Sequence, residues 1–445
     1  MSIHTWKRML PIVVLGLLLV ACSSPGGGGA TTTAPTSTTV RTAVPTDAPP
    51  TQIDTCPTLP FSSPDVYCYT PHQLRVAYGV ESLIEHGFTG KGQTIVDIVS
   101  FGSPTLQQDM DMFDKQFGLP PITIQVIAPL KNVQPSDPNG DRSGWAGETE
   151  LDVQIMHAIA PDAHIVVLVS PVAETEGIIG LPEFRALVKY SLDNHLGNII
   201  SQSWGASEVT LQDQVGQQEI QKWDTLFHQA TTQQGITFFG SSGDNGASDF
   251  TDLKGTRLSS TPTTSFPADD PWITSVGGTS LVHSGSTLTE TAWPDSGGGF
   301  SKFFPQPVYQ KLLPAAVQDQ LNQRRGVPDV SAAANPQTGL AFYFNGGWSL
   351  VGGTSASAPL WSGIAAIADQ VAGHPLGFIN LGLYKLATSS TYAQDFRDIT
   401  AGNNTVHKSV TVPGYAAVAG WDPVTGLGTP NAEKLIPDLI AALKS

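Results

Sequence analysis

The folded part of this sequence alternates short apolar runs, rich in β-branched residues, with segments of helical periodicity. Two of the helical segments are QQDMDMFDKQFG (107–118) and ETELDVQIMHAIA (148–160), whereas KNVQPSDPNGDRSGW (131–145) has the turn residues of a loop. Strands that alternate with helices predict an α/β fold with a largely parallel sheet, whose active site lies beyond the carboxyl ends of the strands. The predicted strands are QTIVDIVS (93–100), ITIQVI (122–127), HIVVLVS (164–170), NIISQS (198–203) and ITFFGSS (236–242).

One serine stands where a long apolar helix is predicted to begin. In VGGTSASAP (351–359), Ser355 precedes the apolar run LWSGIAAIADQVA. The start of a helix presents unpaired N–H groups and the positive end of the helix dipole, which stabilise developing negative charge. Considered alone, this stretch better fits a serine that merely caps the helix, which is the more frequent role. A nucleophilic role for Ser355 therefore depends on partners elsewhere in the chain.

Three carboxylates in the chain are candidates for such partners. Glu148 and Asp152 are four residues apart in GETELDVQ and share one face of a helix. Such a pair can act as a base and its orienting partner, or can simply be a solvated helix face. Asp244, in SSGDNG after a strand, can donate to an oxyanion if it is protonated, or can bond its own turn. Trp204, in SQSWG, can line a substrate cleft or pack in the core.

The N-terminal region predicts export. Lys7 and Arg8 precede the apolar run LPIVVLGLLLVA, which is too short for a membrane span and typical of a signal peptide over residues 1–21. The run ends in Leu-Val-Ala-Cys, which resembles the lipobox of bacterial lipoproteins and predicts lipidation at Cys22. The alternative is an ordinary secretory signal with an incidental cysteine. Residues 22–54 are rich in Gly, Thr, Ser and Pro and predict a flexible tether, which would hold the domain 55–445 outside the cytoplasmic membrane.

The remaining cysteines and the charge limit the chemistry further. Cys56 and Cys68 are predicted to form a disulfide, as expected of a close pair in an exported protein, with two free thiols as the alternative. The formal net charge of −16 argues against nucleic acid as a partner. We expect the chain to be a monomer.

The motifs GGTSASAP, GETELD and SSGDNG, in this order and spacing, resemble those of the sedolisin family of serine-carboxyl peptidases. The similarity extends from about Tyr69 to the C-terminus. It includes the stretches TSFPADDPWITSVGGTS (264–280), ETAWPDSGGGFS (290–301) and RGVPDVSAAANP (325–336). The resemblance implies a subtilisin-like α/β fold, with a largely parallel central sheet flanked by helices.

The resemblance also implies a role for each candidate residue. Ser355 would attack the peptide carbonyl, and Glu148 would take the serine proton. Asp152 would hold Glu148 by a hydrogen bond, and Asp244 would stabilise the oxyanion. A carboxylate base suits acid, in which a histidine base would be protonated.

A calcium site follows from the same resemblance. Its ligands would be the side chains of Asp398 and Asp422 and the carbonyl groups of Ile399, Val418 and Gly420. Carboxylate and carbonyl oxygens are the ligands that Ca²⁺ prefers, although Asp is also common in turns. Val418 stands where family members often have glycine, which a carbonyl ligand does not require.

Three alternatives to a sedolisin differ in the residues that they require. A subtilisin-type peptidase needs a catalytic histidine after its first strand, and none of the ten histidines lies in such a context. An α/β-hydrolase needs G-x-S-x-G, but residue 357 is serine. The third alternative is a catalytically inactive, membrane-tethered binding module with the same fold. The presence of all four catalytic residues argues against it. Sedolisins usually carry a large N-terminal prodomain, and we expect none before Cys56.

Overall fold

The computed structural model describes residues 54–60, 66–284 and 287–444. The predicted signal peptide, Cys22 and almost all of the predicted tether lie outside the described residues. In the part that is described, no helix is both long and apolar enough to cross a membrane. The helices are α1 (Pro71–Ala77), α2 (Glu81–Glu85), α3 (Leu106–Phe117), α4 (Arg142–Ile159), α5 (Leu181–Asp193), α6 (Gln214–Gln234), α7 (Ala315–Leu321), α8 (Thr354–Ala372), α9 (Asn380–Leu386), α10 (Tyr392–Asp395) and α11 (Ala432–Lys444).

The central sheet contains eight strands in the order β2-β3-β1-β4-β6-β8-β12, with β9 paired to β8. All neighbours along this path are parallel, and only β9 is antiparallel to its neighbour. The strands of this sheet are β1 (Thr94–Ser100), β2 (Gln125–Ile127), β3 (His164–Ser170), β4 (Ile199–Gln202), β6 (Thr237–Ser241), β8 (Thr274–Ser284), β9 (Thr287–Ala292) and β12 (Val330–Ala333). The predicted largely parallel sheet is therefore confirmed.

Short two-stranded sheets accompany the central sheet. They join β5 with β7, β10 with β11, β13 with β14, β15 with β18 and β16 with β17. Their bounds are β5 (Ala206–Ser207), β7 (Ser265–Phe266), β10 (Gly299–Pro305), β11 (Arg324–Val327), β13 (Leu340–Phe344), β14 (Gly347–Val351), β15 (Phe396–Arg397), β16 (Val406–His407), β17 (Thr411–Val412) and β18 (Thr429–Pro430).

Two of the sequence-based boundaries were wrong. Residues 131–145 were expected to form a loop, but α4 begins at Arg142, because the turn residues end at Gly140 and Asp141 precedes the helix. The strand expected over residues 122–127 is hydrogen-bonded only over Gln125–Ile127, because only these residues pair with β3.

The packing of the helices against the sheet determines where the candidate site lies. From β1 the chain goes to the edge strand β2, returns to β3 between these two, and then continues on the other side of β1 to β4 and β6. Among the connecting helices, α5 and α6 pack against each other. The later helix α8 packs against α4 and against β4, β6, β8 and β12. It is buried without interruption from Thr354 to Asp369, so it forms the centre of the hydrophobic core.

The first described segment is attached to the domain in two ways. Cys56 and Cys68 form a disulfide with a Cα–Cα distance of 6.3 Å. Next to it, the Tyr67 and Tyr69 backbone N–H groups donate to the carbonyl groups of Gln337 and Gly339. The entry of the domain is thus tied to the chain that leads into β13.

Candidate active site

Ser355 lies in the first turn of α8, at the edge of a cavity. The residue that precedes the helix is Gly353, whose φ of 93° is a left-handed conformation that favours glycine. Ser355 is 6% exposed, and the N-cap position of this helix is occupied by Gly353, which has no side chain that could cap it. The capping interpretation of Ser355 is therefore wrong: the serine is inside the helix, and its side chain faces the cavity.

Asp244 is held directly against the start of α8. It follows β6, and its Oδ1 accepts hydrogen bonds from the Thr354 N–H (2.8 Å) and the Thr354 hydroxyl (2.9 Å). A Cβ atom on Gly353 would lie 2.6 Å from Oδ2 of Asp244, so only glycine permits this approach. Burial raises the pKa of Asp244 to about 6, although the two bonds from Thr354 lower it. In acid this carboxyl is therefore neutral and can donate a hydrogen bond.

Glu148 faces Ser355 from the neighbouring helix α4. It is 4% exposed, and burial raises its pKa to about 8, while the Ser355 hydroxyl lowers it and the charge of Asp244 raises it. Among the described residues, neither carboxyl oxygen of Glu148 has a hydrogen-bond partner within ordinary limits. A buried carboxyl beside a serine, with its oxygens uncommitted, is available to take a proton.

Asp152 lies one turn further along α4 and is fully buried. We expected it to bond Glu148, but the described residues contain no such hydrogen bond. Its Oδ1 instead accepts from the Ser203 hydroxyl at 2.8 Å, since that hydroxyl projects from the end of β4 toward α4. Burial raises the pKa of Asp152 well above its ordinary value, and the charges of Asp97 and Glu148 raise it further.

The sequence-based reasoning missed two residues of this network. Asp97, in the middle of β1, is fully buried beside Asp152, and burial raises its pKa to about 7. The available signal was a carboxylate that interrupts the apolar strand TIVDIVS. Ser203 also donates to the Ser355 carbonyl at 3.3 Å, so it joins α4 to the first turn of α8. No sequence motif marks that contact.

Ser355, Glu148 and Asp244 open on one cavity of about 170 Å³, which Trp204 also lines. Trp204 is 5% exposed and packs edge-on against Phe184, with ring centroids 5.0 Å apart. The ring thus packs in the core and also borders the cavity, while its contact with a substrate stays a prediction.

The predicted calcium ligands lie in one loop region near the C-terminal end of the chain. Both carboxyl oxygens of Asp398 accept from the Gly420 N–H, at 3.2 and 3.0 Å. The carboxylate of Asp422 accepts from the Val418 N–H at 3.3 Å. Burial raises the pKa of Tyr392, and the charges of Asp398 and Asp422 raise it further. The described residues contain no group of three or more His, Cys, Asp or Glu side chains suited to a metal. Two carboxylates with backbone carbonyls would be an oxygen-only set, which suits calcium.

Comparison with known proteins agrees with this architecture. Residues 143–379, more than half of the chain, match the subtilase family. Kumamolisin from Bacillus sp. (strain MN-32) is 32% identical over 382 residues, which are 84% of this chain and 64% of kumamolisin. Tripeptidyl-peptidase 1 from Canis lupus familiaris is 32% identical over 315 residues, which are 67% of this chain and 52% of that protein. The chain thus spans less than two thirds of these relatives.

A solved structure has the same fold. Pseudomonas sedolisin, a serine-carboxyl proteinase complexed with two molecules of pseudo-iodotyrostatin, superimposes with a TM-score of 0.69 at 24% identity. The alignment covers 84% of this chain and 98% of that one. The chain belongs to the subtilase family of serine peptidases. Within that family it is a sedolisin, as the resemblance of its motifs predicted.

Proposed function

We propose that this protein is an acid-acting serine-carboxyl peptidase that hydrolyses peptide bonds in peptides or proteins. The observation that carries the proposal is the convergence of Ser355, Glu148 and Asp244 on one cavity, from three separate elements of the fold. This arrangement supplies a nucleophile, a proton acceptor and a hydrogen-bond donor around the space where a peptide carbonyl would lie.

In the proposed reaction, the Ser355 oxygen attacks the carbonyl carbon while its proton passes to Glu148. The carbonyl electrons move to the oxygen, and this oxyanion accepts a hydrogen bond from protonated Asp244. Glu148 then gives its proton to the leaving nitrogen as the C–N bond breaks, which leaves an acyl group on Ser355. A water molecule that loses a proton to Glu148 attacks the acyl carbon, and the same steps in reverse order free the serine.

The pH range follows from the two carboxyls. The reaction needs Asp244 neutral, and its pKa of about 6 sets the alkaline limit, so kcat/KM should fall as the pH rises through that value. The reaction also needs Glu148 ionised. The charge of Asp244 is one cause of the raised pKa of Glu148, and this cause disappears when Asp244 is protonated. Acid thus satisfies the requirement at Asp244, whereas burial, the main cause of the raised pKa of Glu148, remains, so only the fraction of molecules with Asp244 protonated and Glu148 ionised reacts.

Hydrolysis of a peptide library by the full chain from pH 3 to pH 8 tests the proposal. We expect cleavage in acid, and its loss in Ser355→Ala. The matched control is Ser362→Ala, because Ser362 is buried in the same helix and only donates to the Ala358 carbonyl at 3.0 Å. Persistent activity in the Ser355 variant would refute the assignment. Peptide binding without hydrolysis by the wild type would favour the inactive binding module.

We propose that calcium binds through Asp398 and Asp422, with the carbonyl groups of Ile399, Val418 and Gly420. The proposal is supported by the hydrogen bonds that tie both aspartates to this loop region. Chelation should lower the thermal midpoint of the wild type, and Asp398→Asn should abolish that response. An identical midpoint with and without chelator would exclude a stabilising calcium ion.

We further propose that the protein is a monomer held at the outer face of the cytoplasmic membrane by lipid on Cys22. The supporting feature is the lipobox-like sequence that ends in this cysteine. In cell fractionation the wild type should sediment with membranes and Cys22→Ser should be released. Equal distribution of the two proteins would contradict the anchor.

A further inference from the structure

The loop that carries Asp244 is held in place by two distant segments of the chain. In this loop, which follows β6, the Gly246 N–H donates to the Asp295 carbonyl at 2.9 Å. The Ala247 N–H donates to the Asn404 carbonyl, also at 2.9 Å. A Cβ atom on Gly246, whose φ is 65°, would lie 2.7 Å from the Asn404 carbonyl oxygen, so the two segments are in close contact. The position of Asp244 therefore depends on residues far from it in the sequence.

Lys408 reaches the same loop from the second of these segments. It lies in the turn between β16 and β17, where its N–H donates to the Val410 carbonyl at 3.1 Å. Its Nζ donates to the Asp244 carbonyl at 3.3 Å and lies 3.5 Å from Oδ1 of Asn245. The same Nζ forms an ion pair with Asp295, whose Oδ1 is 2.8 Å away. One ammonium group thus joins the Asp244 loop to the segment that follows β9.

Stability does not account for the ion pair between Lys408 and Asp295. The two side chains are 34% and 38% exposed, and ion pairs this accessible to water contribute little to folding. Neither side chain lines the cavity beside Ser355, so neither contacts a substrate there. The role of the pair must therefore be sought in its effect on Asp244, with which Lys408 is in direct contact.

The two members of the pair act on Asp244 in opposite directions. Burial is the main cause of the raised pKa of Asp244, the charge of Asp295 raises this pKa further, and the charge of Lys408 lowers it. Burial also raises the pKa of Asp249 in the same loop, which Lys408 lowers. From α4, Glu148 and Asp244 interact through their charges. The other titratable side chains that line the cavity with Asp244 are Asp141, Glu174, Glu176 and Lys254.

We propose that Lys408 and Asp295 are positioning residues that act through Asp244: they hold its loop in place and set the alkaline limit of the reaction. Lys408 favours the ionised form of Asp244, which cannot donate to an oxyanion, and Asp295 favours the protonated form, which can. The balance of these two charges then determines how far toward neutral pH the enzyme works. The proposal rests on the proposed peptidase function, whose pH range it assigns to named residues.

Opposite shifts of the pH profile test the proposal. In Lys408→Met the alkaline limit of kcat/KM should move up by about half a pH unit, because Asp244 loses a nearby cation and faces an unpaired Asp295. In Asp295→Asn the limit should move down by about the same amount, because Lys408 is left unpaired. Lys408→Arg keeps the charge and should keep the wild-type limit. The matched controls, Lys189→Met and Asp193→Asn, break an exposed ion pair of 2.9 Å on α5 and should not move the limit.

A titration without substrate separates this proposal from the peptidase assignment. In protein that carries isotope-labelled aspartate, the carboxyl carbon resonance of Asp244 is assigned by its absence from Asp244→Asn and is followed against pH by nuclear magnetic resonance. Opposite displacements of its midpoint in Lys408→Met and Asp295→Asn support the proposal even if no protein hydrolyses peptide, in which case only the peptidase assignment fails.

Two results of this titration would overturn the proposal. They are a midpoint that neither substitution moves, and a midpoint that both substitutions move in the same direction, as a structural disturbance of the loop would do. Hydrolysis by the wild type would leave the peptidase assignment intact in either case. Circular dichroism checks that each variant is folded, which the partial exposure of both side chains favours.

Discussion

Asp369 provides a direct test of how buried carboxyls couple the stability of this fold to pH. It lies near the end of α8, away from the candidate active site, and is 1% exposed. Its Oδ1 accepts from the Leu376 N–H at 2.8 Å, but its Oδ2 has no partner among the described residues. Burial raises its pKa from 3.8 to about 7, although the Leu376 bond and the charge of His374 lower it.

The sign and size of the effect follow from this pKa. The folded state binds the Asp369 proton more tightly than the unfolded state, so between about pH 4 and pH 7 it carries more of this proton. The free energy of unfolding therefore falls as the pH rises through that interval. A shift of about three pKa units, at about 1.4 kcal/mol per unit, gives a loss of about 4 kcal/mol.

Asp369→Asn removes the titration but keeps the acceptor for Leu376. The new amide is as poorly bonded as the carboxylic acid that it replaces, so the two proteins should be about equally stable at pH 4. At pH 8 the variant should be about 4 kcal/mol more stable than the wild type. Urea unfolding followed by tryptophan fluorescence at both pH values measures this difference.

The control is Asp319→Asn, because Asp319 is exposed and should show no such pH-dependent gain. The reasoning would be refuted if Asp369→Asn and the wild type lost stability in parallel from pH 4 to pH 8. That result would mean that Asp369 ionises in the folded state as easily as in the unfolded chain.

Three further substitutions probe separate contacts. Arg325→Met should cost about 3–5 kcal/mol in urea unfolding, because it leaves Asp329, paired with Arg325 at 2.6 and 2.5 Å, buried without its partner. Ser203→Ala should lower kcat/KM about tenfold in steady-state peptide assays, because Asp152 loses a 2.8 Å hydrogen bond. Gly353→Ala should lower kcat/KM on the order of 100-fold in the same assays, because the new methyl group displaces the carboxyl beneath it. Unchanged values in any of these measurements would contradict the corresponding contact.

The sequence predicted the central sheet well, because each parallel strand is a local apolar run whose identity does not depend on distant contacts. It predicted the start of α4 poorly, because the turn residues that end at Gly140 continue into a polar stretch with no sharp boundary. The strand predicted over residues 122–127 was too long, because pairing with the neighbouring β3 determines which of these residues form a strand.

The candidate site divides in the same way. Ser355, Glu148 and Asp244 could be named because each lies in a local motif. Ser203 could not, because its contact with Asp152 joins positions 51 residues apart. The approach of Glu174, Glu176 and Asp249 to the same cavity was also out of reach, since they come from two loops far apart in the chain. Side chains that act through tertiary proximity leave no local pattern.

The burial of α8 has a consequence for how this protein unfolds. The backbone amides of a helix at the centre of a core exchange with solvent only when the whole domain opens. Ser355 lies on that helix, so no local fraying can release it while the remainder stays folded. On heating, disruption of the cavity beside Ser355 and global unfolding should then be a single cooperative event.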